Sequence, residues 1–455
     1  MLKQWLANHT LTNNAWGGKV VRILEASLSA VDPQKAVHSA VEVQANTLSA
    51  GEHKINLEAF ERIHLIAFGK AALPMAKAVK QIINRPLSSA IVLTKDGHAE
   101  DGHKSQAFSI FEASHPLPDQ RGVKATEQIL KILAGCNEKD LVIVAISGGG
   151  SALLTQPAEG VELRDIQAVT KALLEAGASI NEFNSVRKHL DQIKGGGLAR
   201  AVRPAYVLSL ILSDVVGNHL DVIASGPTVA DTSTFGDALQ VVKKYGIQSR
   251  IPNAARDVLE HGSQGDIEET LKPGDAALER VANILVGSNE QAVEAAAKQA
   301  RVEGFSTQIL STTLEGEARQ LGKELALQLK EEVQAGAKRQ TPFCLIGGGE
   351  TTVTITGEGL GGRNQEMALA AVEVLGGLPN VAFVALASDG GDGPTEAAGA
   401  IVTGDSLGRA ERMGLDPKAF LANNDSYRFF AELEDLLVTG PTQTNVNDLY
   451  LLFAF

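Results

Sequence analysis

YVLSLILSD, residues 206–214, is a nearly continuous apolar run that stops on a carboxylate. A half-buried strand alternates polar and apolar side chains. This run barely alternates, which is the pattern of a strand buried on both faces of a parallel sheet. Working outward, IHLIAFG (63–69), AIVLTK (90–95), FSIFEAS (108–114) and LVIVAIS (141–147) read as further strands. KAALPMAKAVKQII, EQILKILAG, LRDIQAVTKALLEAG and INEFNSVRKHLDQI read as the intervening helices. Strand and helix in alternation define an α/β domain.

A second alternation begins beyond two loop-like stretches, TVADTSTFGDA (228–238) and GSQGDIEETLKPGD (262–275). NILVG, STQILST and PFCLIGGGE read as strands, with NEQAVEAAAKQARVEG and EGEARQLGKELALQLKEEVQAG as helices between them. TTVTIT reads as a half-buried strand, VAFVALASD as a buried one, and LYLLFAF as the last. Residues 1–60 read as amphipathic helices with polar connections. The expectation is two Rossmann-like α/β domains, residues 1–235 and 236–455, in a chain of 455 residues, too long for one ordinary core.

The net charge of −13 disfavours nucleic acid and anionic membrane as partners. Only 4% of residues are aromatic, which argues against a base-stacking surface. Two cysteines, Cys136 and Cys344, are too few for a disulfide framework or a zinc site, and are expected as buried thiols. MLKQWLANHTL lacks the apolar core of a signal peptide, and no run is long enough to span a bilayer. The expected compartment is the cytoplasm. Self-association into a homo-oligomer stays open.

Glycine is in excess, 45 of 455 residues against roughly 7% in an average chain. Much of it is clustered: SGGGS (147–151), KGGG (194–197), GGGE (347–350), GEGLGG (357–362) and DGGDG (389–393). Most clusters follow predicted strands. Successive glycine N–H groups can wrap an anion, and in α/β sheets ligands sit beyond the carboxyl ends of strands. Tight turns are the plain alternative for any one cluster. The pattern GxxxxGK(S/T) is absent, so this is no P-loop NTPase; GxSxG and HExxH are absent too. GxGxxG occurs at Gly357, Gly359 and Gly362. However, TTVTIT before it does not read as a strand buried on both faces, and Arg363, Asn364, Gln365 and Glu366 follow where a dinucleotide site needs close packing.

Several polar side chains stand at predicted strand ends. Lys70 follows a strand and a glycine, where it is either a cleft cation or a surface lysine. Lys194, ahead of three glycines, is placed to meet phosphate together with the Gly195 and Gly196 amides. Arg363 has a guanidinium suited to bidentate carboxylate or phosphate binding. Asp214 and Asp389 are candidates for a general base or for Mg²⁺, with Asp392 beside them; capping and turn formation are the alternatives. Glu350 is a weaker candidate, and His115 is expected as a turn residue. Anion cradles, cations and strand-end carboxylates together are what phosphoryl transfer requires.

AISGGGSALL (145–154), VRKHLDQIKGGGLA (186–199), SLILSDVVGNHLDVIASGPT (209–228), GGRNQEMAL (361–369), SDGGDGPTEAAGA (388–400) and GPTQTNVNDLYLLF (440–453) together resemble the two-domain glycerate 2-kinases that carry a C-terminal MOFRL domain. The resemblance covers nearly the whole chain, least well at 1–60 and 235–280. It implies ATP-dependent, Mg²⁺-assisted phosphorylation of D-glycerate at its 2-hydroxyl, with an active site in the cleft between the domains. It also implies catalytic roles for Lys70 of FGK and Arg363 of GGRNQE. On that reading Ser147, Gly148, Gly149, Gly150, Ser151, Lys194, Gly195, Gly196, Asn364 and Asp389 bind nucleotide or substrate, and Asp214 is the first choice of base. The rival expectation is an NAD(P)H-dependent hydroxypyruvate reductase, a name some members of the family have carried.

Overall fold

A computed structural model describes residues 8–99, 107–335 and 341–455. The first seven residues of MLKQWLANHTL and the end of the EEVQAG helix at Gly336 lie outside that range. The chain forms two compact units, Pro33–Val286 and Gly287–Phe455 joined by the described part of Met1–Asp32. Both are α/β, but the chain divides elsewhere than at 235/236.

Pro33–Val286 opens with a small antiparallel sheet, β1 (Val41–Gln44), β2 (Thr47–Ala50) and β3 (His53–Asn56), where helices were expected. Its main sheet holds β4 (Arg62–Phe68), β5 (Ser89–Lys95), β6 (Ser109–Ala113), β7 (Asp140–Ile146), β8 (Tyr206–Leu212) and β9 (Val281–Gly287). The spatial order is β6-β5-β4-β7-β8-β9, and β6 through β8 are parallel. This is the doubly wound 3-2-1-4-5-6 order. β7 is buried along its whole length and β8 nearly so, as their apolar runs require. The chain winds outward from β4 to β6, then returns to start β7 beside β4. The switch point therefore lies between β4 and β7. β9, the NILVG strand, joins the edge of this sheet, not the second domain. Helices Phe235–Lys244 and Asn253–Gln264 also stay here, where Phe235, Val242 and Leu259 pack against Phe183, Val186 and Leu190. Those contacts move the boundary to residue 286.

In the other unit, β10 (Ser306–Glu317), β11 (Phe343–Thr352), β12 (Val381–Ala387), β13 (Gly399–Thr403), β14 (Leu436–Leu437) and β15 (Asp448–Ala454) form one mixed sheet, ordered β10-β11-β15-β12-β13-β14. β10 and β11 are parallel; β15 inserts antiparallel to both β11 and β12. TTVTIT does not continue as a strand: β11 ends at Thr352, and Ile355 is 78% exposed. Helix Gly17–Ala30 packs on helix Asn289–Val302, with Ser27 Oγ donating to Ala292 O at 2.8 Å and Arg22 forked on Glu303 at 2.7–2.8 Å. Cys344 is buried, as expected; Cys136 is only half-buried, near His64 and Asp140. Among the described residues no helix is long and apolar enough to cross a membrane.

Candidate functional site

The register of β4 on β7 pairs Phe68 with Ile146, so the next residues, Gly69 and Ser147, leave the sheet side by side. Gly69 has φ +114°, and a side chain there would overlap Ser147. That close approach lets the Ser147 hydroxyl accept from Ala71 N (3.0 Å) and Gly148 O accept from Lys70 N (2.9 Å). The SGGGS turn is thus stitched to the start of helix Ala72–Ile82, with Lys70 at the join.

Three other segments converge on this turn. Gly149, at φ +83°, places its Cα against the His115 ring and the Lys70 stem: a Cβ would lie 3.1 Å from His115 Cδ2 and 3.4 Å from Lys70 Cγ. A Cβ on Gly148 would overlap the Asp214 carboxylate, so Asp214, just past β8, packs directly on the turn. A Cβ on Gly150 would stand 2.8 Å from Ala224 Cβ. Ala224 and Ser225 have φ of +49° and +61°, a costly conformation for residues with side chains. Ser225 Oγ lies 2.8 Å from Ser151 Oγ and donates to Asn184 Oδ1 at 3.2 Å, which also accepts from Arg187 Nη1 at 3.3 Å. Among the described residues the N–H groups of Gly148 and Gly149 donate to no protein acceptor.

The electrostatics match an anion cradle. Burial, together with the charges of Lys70, Lys95, His98 and Arg187, pushes His115 down to about 4. Its imidazole is neutral at neutral pH. Burial also lowers Arg187, to about 10. The sequence therefore brings Lys70, Ser147, Gly148, Gly149, Gly150, Ser151 and Asp214 together, as expected. It missed His115 as a site residue, and missed Arg187, Asn184 and Ser225. Their signal was present: all but His115 lie in INEFNSVRKHLDQI or LDVIASGPT, next to the glycine clusters.

Lys194, Gly195 and Gly196 are corrected. The Lys194 ammonium is buried and donates to Asp191 Oδ2 (2.6 Å), Leu154 O (3.1 Å) and Thr155 Oγ1 (3.3 Å), which uses all three of its hydrogens. Burial pulls its pKa down against the pull of Asp191. Gly195 N and Gly196 N donate to Ser225 O (3.0 Å) and Gly226 O (2.7 Å). KGGG is a brace for the 224–226 loop, with no group left for phosphate.

In the other unit, Arg363 opens helix Arg363–Leu375. Its Nε and Nη2 fork onto Asp448 (2.6 and 3.0 Å), and Nη1 donates to Glu350 Oε1 at 2.7 Å. Of the five N–H donors of a guanidinium, three are engaged, and the side chain remains 31% exposed. Burial raises the Asp448 carboxyl to about 6, against the pull of Arg363 and with a further push from Asp392. Asp448 was missed because it reads as the first residue of a strand. Asp392 is fully engaged: it accepts from Asn364 N (3.1 Å), Asn364 Nδ2 (3.2 Å) and Gln365 N (2.8 Å), and so caps the helix. Asn364 is 0% exposed, so its expected contact with nucleotide or substrate is corrected to a structural one. Asp389 is half-buried and takes Gly391 N on Oδ1 at 3.1 Å. Gly357 and Gly359 pack against Asn423 and Asp425, and irregular chain rather than a strand precedes them. The GxGxxG pattern is not a dinucleotide turn.

Residues 19–260 match the family DUF4147, a domain of unknown function, and residues 343–448 match the MOFRL family. A D-glycerate 2-kinase of Thermotoga maritima is 42% identical over 431 residues, 95% of this chain and 96% of that protein. An Agrobacterium vitis protein with a hydroxypyruvate reductase name is also 42% identical, over 94% of this chain and 92% of its own. The crystal structure of a Thermotoga maritima glycerate kinase superposes with a TM-score of 0.85 at 41% identity, covering 96% of this chain and 99% of that one.

Proposed function

The chain belongs to the glycerate kinase family, and from that membership we propose that it transfers the γ-phosphoryl group of ATP to the 2-hydroxyl of D-glycerate, giving 2-phosphoglycerate and ADP. One observation carries the reading on the chain's own residues. At the switch point of an acidic protein, the charges of Lys70, Lys95, His98 and Arg187 act on His115, which lies against a glycine turn whose Gly148 and Gly149 N–H groups meet no protein acceptor among the described residues.

Each residue then has a task. The Gly148 and Gly149 amides and Lys70 take up negative charge on the phosphoryl group, which is most of what its transfer demands. Asp214, held against Gly148, accepts the proton of the attacking hydroxyl. The family resemblance implies a catalytic role for Arg363, and its fork on Asp448 fixes the guanidinium plane and leaves donors unspent. Hard oxygen ligands suit Mg²⁺, and either Asp214 or Asp389 is the candidate carboxylate that would hold it; when bound it would neutralise phosphate charge. A reaction that consumes ATP fits a cytoplasmic enzyme.

The reductase reading has less behind it. In a dinucleotide-binding sheet of this order, the glycine fingerprint sits in the turn after the first strand. Here that turn is FGKAA, with Gly69 as its sole glycine. A coupled assay separates the two. ADP release with D-glycerate supports the kinase, and NADH oxidation with hydroxypyruvate without ADP release overturns it. NMR of the product distinguishes 2- from 3-phosphoglycerate.

A further inference from the structure

Arg187 stands out among the cations of its segment. Lys188 pairs with Asp231 (3.1 Å) and Asp221 (3.3 Å), His189 with Glu269 (3.1 Å), and Lys194 with Asp191 (2.6 Å). Among the described residues Arg187 meets a ring and an amide instead. Its guanidinium lies 4.3 Å from the centroid of Phe183, and Nη1 reaches Asn184 Oδ1 at 3.3 Å. Burial disfavours its charged form, and the opposing pull comes from Asp191, which is already paired with Lys194. An aromatic shelf on one side and an amide at the edge fix its plane and leave most of its N–H donors unspent.

A chain of contacts links the fork to the cradle. Asn184 Oδ1 holds Arg187 and Ser225 together, Ser225 touches Ser151 at 2.8 Å, and Ser151 closes the SGGGS turn. Arg187 also acts on His115, which lies against Gly149 and Lys70. A planar fork at the rim of a phosphate cradle matches a planar anion attached to the carbon that bears the attacking hydroxyl.

We propose that Arg187 binds the substrate carboxylate and is the residue that selects a 2-hydroxy acid over a neutral polyol. This rests on the kinase reading above, in which the substrate is D-glycerate. The shared chemistry is an oxyanion, which a nucleotide phosphate also offers, and the test separates the two.

Arg187→Met keeps an apolar stem over Phe183, and Arg187→Lys keeps the charge without the fork. KM is measured for D-glycerate at saturating ATP and for ATP at saturating D-glycerate. D-glycerate binding is followed by calorimetry without nucleotide, glycerol turnover is assayed beside it, and melting is recorded for each protein. In Arg187→Met we expect KM and Kd for D-glycerate to rise about 30-fold, the scale of a lost charged hydrogen-bonding partner. KM for ATP stays within about twofold, and the preference for D-glycerate over glycerol collapses. Arg187→Lys recovers part of the affinity and serves alone if the methionine variant does not fold. A rise confined to KM for ATP assigns Arg187 to phosphate and overturns the inference, as does no change in either constant. Failure of the wild-type protein to phosphorylate D-glycerate sinks the kinase reading itself, and is seen before any variant is made.

Discussion

Lys70 and Lys194 carry the same charge in similar sequence settings, yet the structure gives them opposite surroundings. Lys70 is half-buried at the cradle and forms no ion pair among the described residues, so its replacement unpairs nothing. Lys70→Ala is expected to lower kcat by roughly 10²–10³, the usual loss of a charge-stabilising donor, with the melting temperature unmoved. Wild-type turnover at normal KM would end its role. Lys194→Met leaves Asp191 buried without its partner and is expected to cost about 3–5 kcal/mol of stability, read by urea unfolding. KM for ATP should not follow. Asp448 supplies a pH signature. Its carboxyl is raised to about 6, so as pH falls through that value it takes a proton and loosens its hold on Arg363. The kcat/KM profile should show an acid limb with its inflection near 6, and Asp448→Asn should flatten that limb at a lowered plateau. His115, pushed down to about 4, stays neutral throughout and adds no inflection there. A lysine before glycines cannot reveal from sequence whether its ammonium faces a cleft or an acid three residues back. That depends on how helix Ile180–His189 packs, a tertiary fact.

At the scale of elements, the turns after β4 and β7 fit together because glycines remove the atoms that would collide. Gly148→Ala places a methyl where the Asp214 carboxylate lies. Asp214 must swing away, and an ångström of misplacement is expected to lower kcat roughly 10²-fold without unfolding the sheet. A variant within threefold of wild type would show that Asp214 is not the base. The central strands were legible because LVIVAIS and YVLSLILSD are apolar on both faces, which local sequence records directly. The strands 41–56 were not, because four-residue antiparallel strands carry too little periodicity to distinguish them from helix ends. Nor could β9 be assigned to a sheet, since edge pairing with β8 is a long-range choice. Glycine clusters were legible as sites of close approach. Sequence alone did not separate SGGGS, whose Gly148 and Gly149 amides meet no acceptor among the described residues, from KGGG, which spends its amides on Ser225 and Gly226.

For the whole molecule, the boundary at Val286 rather than 235 is testable by dissection. A fragment ending at 235 strips Val242, Val258 and Leu259 from the cluster around Phe183 and removes β9 from the sheet. It is expected to aggregate or melt without cooperativity, whereas Pro33–Val286 gives one cooperative transition by circular dichroism. Equal behaviour of the two fragments would restore the earlier boundary.

The path of the chain has a consequence for the ribosome. Helix Gly17–Ala30 is made first, but the helix it packs on, Asn289–Val302, emerges more than 250 residues later. At about 5–20 residues per second, an amphipathic helix with Val20, Ile23, Leu24 and Leu28 on its apolar side waits on the order of ten seconds or more for its partner. During that interval Pro33–Val286 can close on itself. The nascent protein is therefore a finished domain trailing a sticky N-terminal segment, which is the species a holdase chaperone recognises.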